Sequence, residues 1–152
     1  MKNRAFVVFV MFVTLLGSAN LFAQSKKADD IVGIWLNEDK DAKVEIFMAG
    51  GRYYGKIIWL KDPIDTETNK PKLDKHNPEN NLKSRPILNL EILKAFKFNG
   101  KDEWAGGSIY DPKSGKTYSC YMRFEAAEKI KIRGFVGVSM LGRSTYWTKV
   151  KD

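Results

Sequence analysis

Cysteine and histidine are nearly absent from this chain. Cys120 is the single cysteine among 152 residues, so no disulfide can form within the chain and the fold must rest on its hydrophobic core. Cys120 sits beside Ser119, Tyr121 and Met122, with no base or cation evident next to it. That surrounding suits a small buried hydrophobe better than a reactive thiolate. His76 is the sole histidine and lies between Lys75 and Asn77 in a polar stretch, where a solvated side chain is expected. Spacing offers no Ser-His-Asp or Cys-His constellation, because separation along a meandering chain says little about separation in space. No segment carries helical periodicity beyond two turns, and there is no internal repeat. Four of the five prolines, Pro63, Pro71, Pro78 and Pro86, crowd into one stretch.

What the chain does have is β pattern and turn chemistry. The hydrophobic fraction of 43% and charged fraction of 29% are ordinary for a globular protein, and the length suits one domain. The strongest local signal runs over 104–121. Ile109-Tyr110 and Thr117-Tyr118-Ser119-Cys120-Tyr121 are rich in β formers, and between them lies Asp111-Pro112-Lys113-Ser114-Gly115. Asp111 can accept backbone amides, Pro112 presets φ, and Gly115 can adopt the positive φ that closes a hairpin. This turn reads as scaffold that sets the register of Tyr110 against Tyr118.

Further strands are expected at 31–36, at 43–48 (Val44, Ile46 and Met48 on one face), and at 52–60 (Tyr53, Gly55, Ile57 and Trp59 on one face). Others are expected at 87–96, 129–136 (Ile130, Ile132 and Gly134 facing in) and 144–150. Eight short strands with a turn signal roughly every ten residues predict an all-β fold. An antiparallel up-and-down barrel removes exposed edges and is the leading form; a two-sheet β-sandwich is the alternative. The stretch 61–86 breaks the pattern with prolines, Asp and Asn, and reads as a long loop with one helical turn near 79–83.

The amino terminus has the layout of a secretory signal. Lys2 and Arg4 precede an apolar run over 5–16, and small residues follow, with cleavage expected after Ala23 or, alternatively, Ala19. The run is short for a membrane span, which is the competing reading, and no cysteine directly follows it to carry a lipid. The expected division is a signal peptide at 1–23, a linker at 24–30 and one domain at 31–152. The exported chain keeps a net charge of about +6 once Lys2 and Arg4 are gone from the +8 total. A periplasmic or extracellular location follows as an expectation. Basic residues spread over the whole chain form no nucleic-acid stripe, so anionic lipid, envelope polymer or an acidic ligand is the more fitting partner.

Several motifs then line up in order. They are Gly33-Ile34-Trp35; Gly55-Lys56-Ile57-Ile58-Trp59-Leu60-Lys61-Asp62-Pro63; Asn77-Pro78 with Arg85-Pro86; the segment 107–118; and Arg133-Gly134-Phe135-Val136-Gly137 with Gly142-Arg143 and Trp147. Together they resemble the bacterial exported family known as domain of unknown function 2147, from about Ile31 to Val150. One departure is Lys149, where the family more often has arginine after Trp-Thr. The resemblance implies a lipocalin-like up-and-down barrel and leaves function open. It also implies a role for Gly33 and Trp35: such barrels open on Gly-x-Trp, and a basic residue near the last strand packs over the indole. Arg133 and Arg143 are the expected cations, with Arg143 assigned to barrel closure. Lys149 ranks below them because a guanidinium stacks better.

The candidate site follows from aromatic density on strands. Tyr53, Trp59, Trp104, Tyr110, Tyr118 and Tyr121 are the expected ligand contacts, with Arg85 or Arg133 as anion partner. The plainer alternative is that the aromatics fill the barrel. Gly55 and Gly106-Gly107 fit barrel curvature or a close backbone approach by a ligand. Asp62, Asp65, Glu67 and Asp74 lack the spacing of a calcium loop; neither a metal nor a cofactor is expected. The chain therefore reads as a non-enzymatic exported binding protein for a small hydrophobic or amphipathic molecule, with 61–86 as lid or rim. An envelope interaction module without ligand, and a hydrolase using two carboxylates, are the alternatives.

Overall fold

The computed structural model describes residues 27–151; the expected signal peptide at 1–23 lies outside them. Among the described residues ten strands are formed: β1 Gly33–Leu36, β2 Ala42–Ala49, β3 Arg52–Leu60, β4 Ile64–Asp65, β5 Lys70–Pro71, β6 Glu91–Phe98, β7 Glu103–Asp111, β8 Lys116–Ala126, β9 Lys129–Phe135 and β10 Gly142–Lys149. Eight of them close an antiparallel barrel in the order β1-β10-β9-β8-β7-β6-β3-β2, and β4 and β5 make a small separate ribbon. First and last strands pair, Trp35 opposite Lys149, so the barrel has no edge and the sandwich alternative falls.

Two boundaries differ from the sequence expectation. The strand expected from Ile31 begins at Gly33, because Ala28–Ile31 forms a 3-10 turn that takes up the end of the expected linker. The strand expected from Ile87 begins at Glu91. Residues before it belong to the long loop, where the Ile87 amide donates to the Lys72 carbonyl.

The 3-10 turn closes one end of the barrel. The Trp35 indole N–H donates to the Ile31 carbonyl at 2.8 Å, and the Trp104 indole N–H donates to the Ala28 carbonyl at 3.0 Å. The Tyr53 hydroxyl donates to Asp29 at 2.7 Å. Burial and that carboxylate push the Tyr53 pKa up to about 12. Trp35, Trp104 and Phe124 meet edge to face, and Phe98 lies 4.7 Å from Trp104. Such pairs add roughly 0.5–1.5 kcal/mol each beyond the area they bury. Each indole and the phenol has its polar atom satisfied, which is what lets large amphipathic rings fill a barrel floor.

Inward glycines make room for neighbouring side chains. A Cβ at Gly107 would meet the Phe96 ring at 2.5 Å, and one at Gly55 would meet Leu93 at 2.8 Å. The close approach expected at these glycines is thus made by core side chains of β6.

Candidate functional site

The other end of the barrel is hollow. A cavity of about 1100 Å³ opens there. Its wall includes Val44, Ile57, Ile92, Ile109, Ile132 and Trp147, with Tyr118 and Gly134 above. Strand parity explains the set. Ile109 pairs with Tyr118, Cys120 with Gly134, and Trp147 with Ile130, which puts these residues on the inner face. Gly134 leaves the space beside Ile109 and Tyr118 unfilled.

Four connections surround the mouth: β1–β2 (37–41), the long connection between β3 and β6, β7–β8 (112–115) and β9–β10 (136–141). In the ring of eight, the β1–β2 and β7–β8 connections stand on opposite sides. They nevertheless touch. The Lys113 ammonium donates to Asp41 at 3.0 Å and to Asp39 at 3.2 Å. This ion pair spans the mouth. Burial raises the Asp41 pKa, but hydrogen bonds from Asn37 and Lys113 outweigh it and leave the carboxyl below its ordinary value. The Asp41 bond is also the main reason the Lys113 pKa is raised.

The Asp111 turn forms as expected: its carboxylate accepts from the Lys113 amide and the Ser114 hydroxyl, and Gly115 has φ +71°. It is more than scaffold, because Pro112, Lys113 and Ser114 line the cavity. A Cβ at Gly115 would overlap the His76 carbonyl oxygen, so the turn is also the seat of the long loop. His76 itself is exposed, as expected.

A buried carboxylate fastens that loop. Asp74 is fully buried and accepts from the Tyr110 hydroxyl at 2.5 Å, from Asn77 at 2.8 Å and from Arg85 Nε at 2.9 Å. Arg85 also stacks over the Tyr110 ring. Burial and the hydrogen bond to Asp74 raise the Tyr110 pKa. The expected helical turn is present at Asn80–Leu82. Asp65 accepts the Glu67 and Thr68 amides in the ribbon turn, so the loop carboxylates serve different local structures. Among the described residues, no three His, Cys, Asp or Glu side chains cluster to hold a metal ion.

The expected contact residues separate into four places. Tyr118 faces the cavity. Tyr110 touches it, yet its ring is buried under the long loop. It pairs with Thr117, the neighbour of Tyr118, so the two tyrosines project to opposite faces of the wall. Tyr53 and Trp104 are buried in the closed floor, away from the cavity lining. Trp59 and Tyr121 lie outside. A register shift between Lys43 and Val44 opposes Trp59 to Lys43 and leaves Ile58 as the extra residue, which turns Trp59 outward beneath the Lys43 ammonium at 5.3 Å. Tyr121 alternates with the inward Cys120 and Met122 and lies 5.1 Å from the Arg123 guanidinium.

The arginines are also reassigned. Arg85 is taken by Asp74. Arg133 donates from Nε to the Ser139 carbonyl at 2.7 Å, from Nη2 to the Met140 carbonyl and from Nη1 to the Ser144 hydroxyl, both at 3.1 Å. It clamps the β9–β10 connection. Arg143 lines the open mouth, at the wrong end for closure. The cation over Trp35 is Lys149, 5.5 Å from the ring centre, and its ammonium also donates to the Asp30 carbonyl. Gly33, with φ +136°, lies against the Lys149 stem.

Sequence reasoning missed the aliphatic wall and the Lys113 pair. The wall was signalled by the inward parity of Val44 and Ile132. The pair joins residues 72 and more positions apart, and no local pattern encodes it.

The comparisons agree with this architecture. Residues 33–149 match the model of a family described as an uncharacterized protein conserved in bacteria (DUF2147). The solved structure of protein HP1028 from Helicobacter pylori, described as belonging to the lipocalin family, is similar with a TM-score of 0.68 and 25% identity. The match covers 80% of this chain and 83% of that one. No functionally curated protein matches.

Proposed function

The chain belongs to the bacterial DUF2147 family, and within it we propose an exported carrier that holds one small hydrophobic or amphipathic molecule in its barrel. The observation that carries this reading is the cavity of about 1100 Å³, at or just above the roughly 300–1,000 Å³ range of ligand pockets. Its aliphatic wall suits an acyl chain or a comparably apolar body. Its mouth suits a polar head group, with Arg143 and Lys72 available to an anion and Thr145 to a hydrogen bond. The lipocalin-like neighbour supports the same reading at the level of fold. Export rests on the composition of residues 1–23.

Four of the five carboxylates lining the cavity, all but Asp62, are engaged in ways that favour this over hydrolysis. Asp39 and Asp41 are paired with Lys113, Asp111 shapes its turn and Glu38 accepts the Tyr146 amide. A general acid needs a raised pKa, and that of Asp41 is lowered.

Native mass spectrometry of the protein purified from its exporting host tests the proposal. A mass excess that disappears on denaturation, and is recovered as a lipid-sized molecule in the extract, is the expected result. Protein free of ligand that also fails to bind a fluorescent fatty acid would defeat it.

A further inference from the structure

The β9–β10 connection presents Val136, Val138, Met140 and Leu141 to solvent, each between 59 and 87% exposed. The other large apolar side chains exposed among the described residues reach at most 52%. A loop of this composition beside an apolar cavity would be expected to fold inward and cover it. It is instead held out by two Arg133 bonds, to the Ser139 and Met140 carbonyls, and by the Leu141 amide, which donates to the Val138 carbonyl at 3.0 Å.

We infer that this loop docks the barrel on a lipid bilayer and that an acyl chain passes from the bilayer into the cavity beside it. The second half of the inference rests on the ligand-carrying reading; the docking half does not. Val136 and Leu141 belong to the cavity lining as well as to the exposed tip, so the tip and the cavity share apolar side chains. The Lys113 pair divides the mouth into two openings. One is flanked by the polar, Asp74-anchored loop; the other is flanked by this tip.

Size selects a bilayer over a protein partner. A stable protein interface needs roughly 800 Å² from each side, and a convex tip of four side chains falls well short. The same tip is adequate for shallow burial at the boundary between head groups and acyl chains. Arg143 stands at the foot of the loop, where lipid phosphates would lie, and the exported chain keeps a net charge of about +6.

Sedimentation of the protein with vesicles of phosphatidylethanolamine and phosphatidylglycerol tests the inference. The wild-type protein is expected to pellet with the vesicles. The double variant Val138→Asp, Met140→Asp alters only exposed side chains and is expected to bind them roughly tenfold or more weakly. It should still take up a fluorescent fatty acid from buffer as the wild type does. Wild-type protein that stays in the supernatant would overturn the inference, and so would a double variant that pellets equally well, since binding would then come from the basic surface in general. Vesicle docking lost in the variant, with no fatty acid taken up by either protein, upholds the docking and defeats the carrier reading.

Discussion

Lys149 lies directly opposite Trp35 across the seam where the last strand meets the first, with its ammonium 5.5 Å from the centre of the indole ring. The contact joins the first and last strands at the closed floor. Replacing Lys149 by methionine keeps the stem but removes the cation and its bond to the Asp30 carbonyl. A loss of about 1–2 kcal/mol is expected in urea unfolding. Lys149→Arg should retain most of the stability. Equal losses in both variants would show that the ammonium contributes nothing beyond its packing.

Gly33 should tolerate no side chain. Its φ of +136° is closed to alanine, whose Cβ would also stand 3.2 Å from the Lys149 stem. Gly33→Ala is expected to cost about 1–3 kcal/mol. A thermal midpoint matching the wild type would contradict that assignment.

The Asp74 carboxylate should govern the order of the long loop. Asp74→Ala leaves Arg85, Asn77 and the Tyr110 hydroxyl without their shared acceptor, at a cost of about 3–5 kcal/mol. Tyr110→Phe removes two bonds, the one donated to Asp74 and the one accepted from Asn77, and should cost nearer ~1–2 kcal/mol. Hydrogen exchange should rise over 61–90 in both variants. If it rose evenly over the whole barrel, the carboxylate would not be acting as a fastener of this loop.

The Lys113 pair is a latch with a defined pH window. The Asp41 pKa is lowered from 3.8 by folding, so its contribution is present above that value and fades as acid protonates the carboxylate. The Lys113 pKa is raised from 10.5, so its contribution is present below that value and fades at higher pH. At neutral pH the latch is closed. Lys113→Ala should cost no more than about 1 kcal/mol, because the pair is well exposed. It should speed both entry and release of a fluorescent fatty acid in stopped flow. Unchanged rates would mean that traffic avoids this part of the mouth.

Tyr118→Ala should weaken fatty-acid binding by ~5-fold or more through lost wall area. Trp59→Ala and Tyr121→Ala, on the outer surface, should leave it within a factor of about two. The reverse pattern would place the ligand outside the barrel.

Much of the fold was legible locally. Alternation gave the inner faces of β2 and β9, the Asp111-Pro112-Lys113-Ser114-Gly115 turn formed as read, and Cys120 lies buried as expected, its thiol pushed up to about 12 by burial. Parity, however, tells only inside from outside. It does not tell height along the barrel, and so the aromatics expected around a ligand could not be separated into floor and wall. Trp104 and Tyr53 face inward, but at the closed end. For Trp59 even the parity failed, because one extra residue in β3 reverses the face of everything beyond it.

The sequence by itself determined an all-β chain of eight main strands, its turns and its Gly-x-Trp opening, since these depend on neighbours a few residues apart. Tertiary structure alone decided which cation covers Trp35, which carboxylates hold Lys113 and which side chains surround the hollow. Those choices depend on barrel closure, which fixes the register of β1 against β10 and brings opposite loops together over the mouth. No interaction between near neighbours in the chain can set that register.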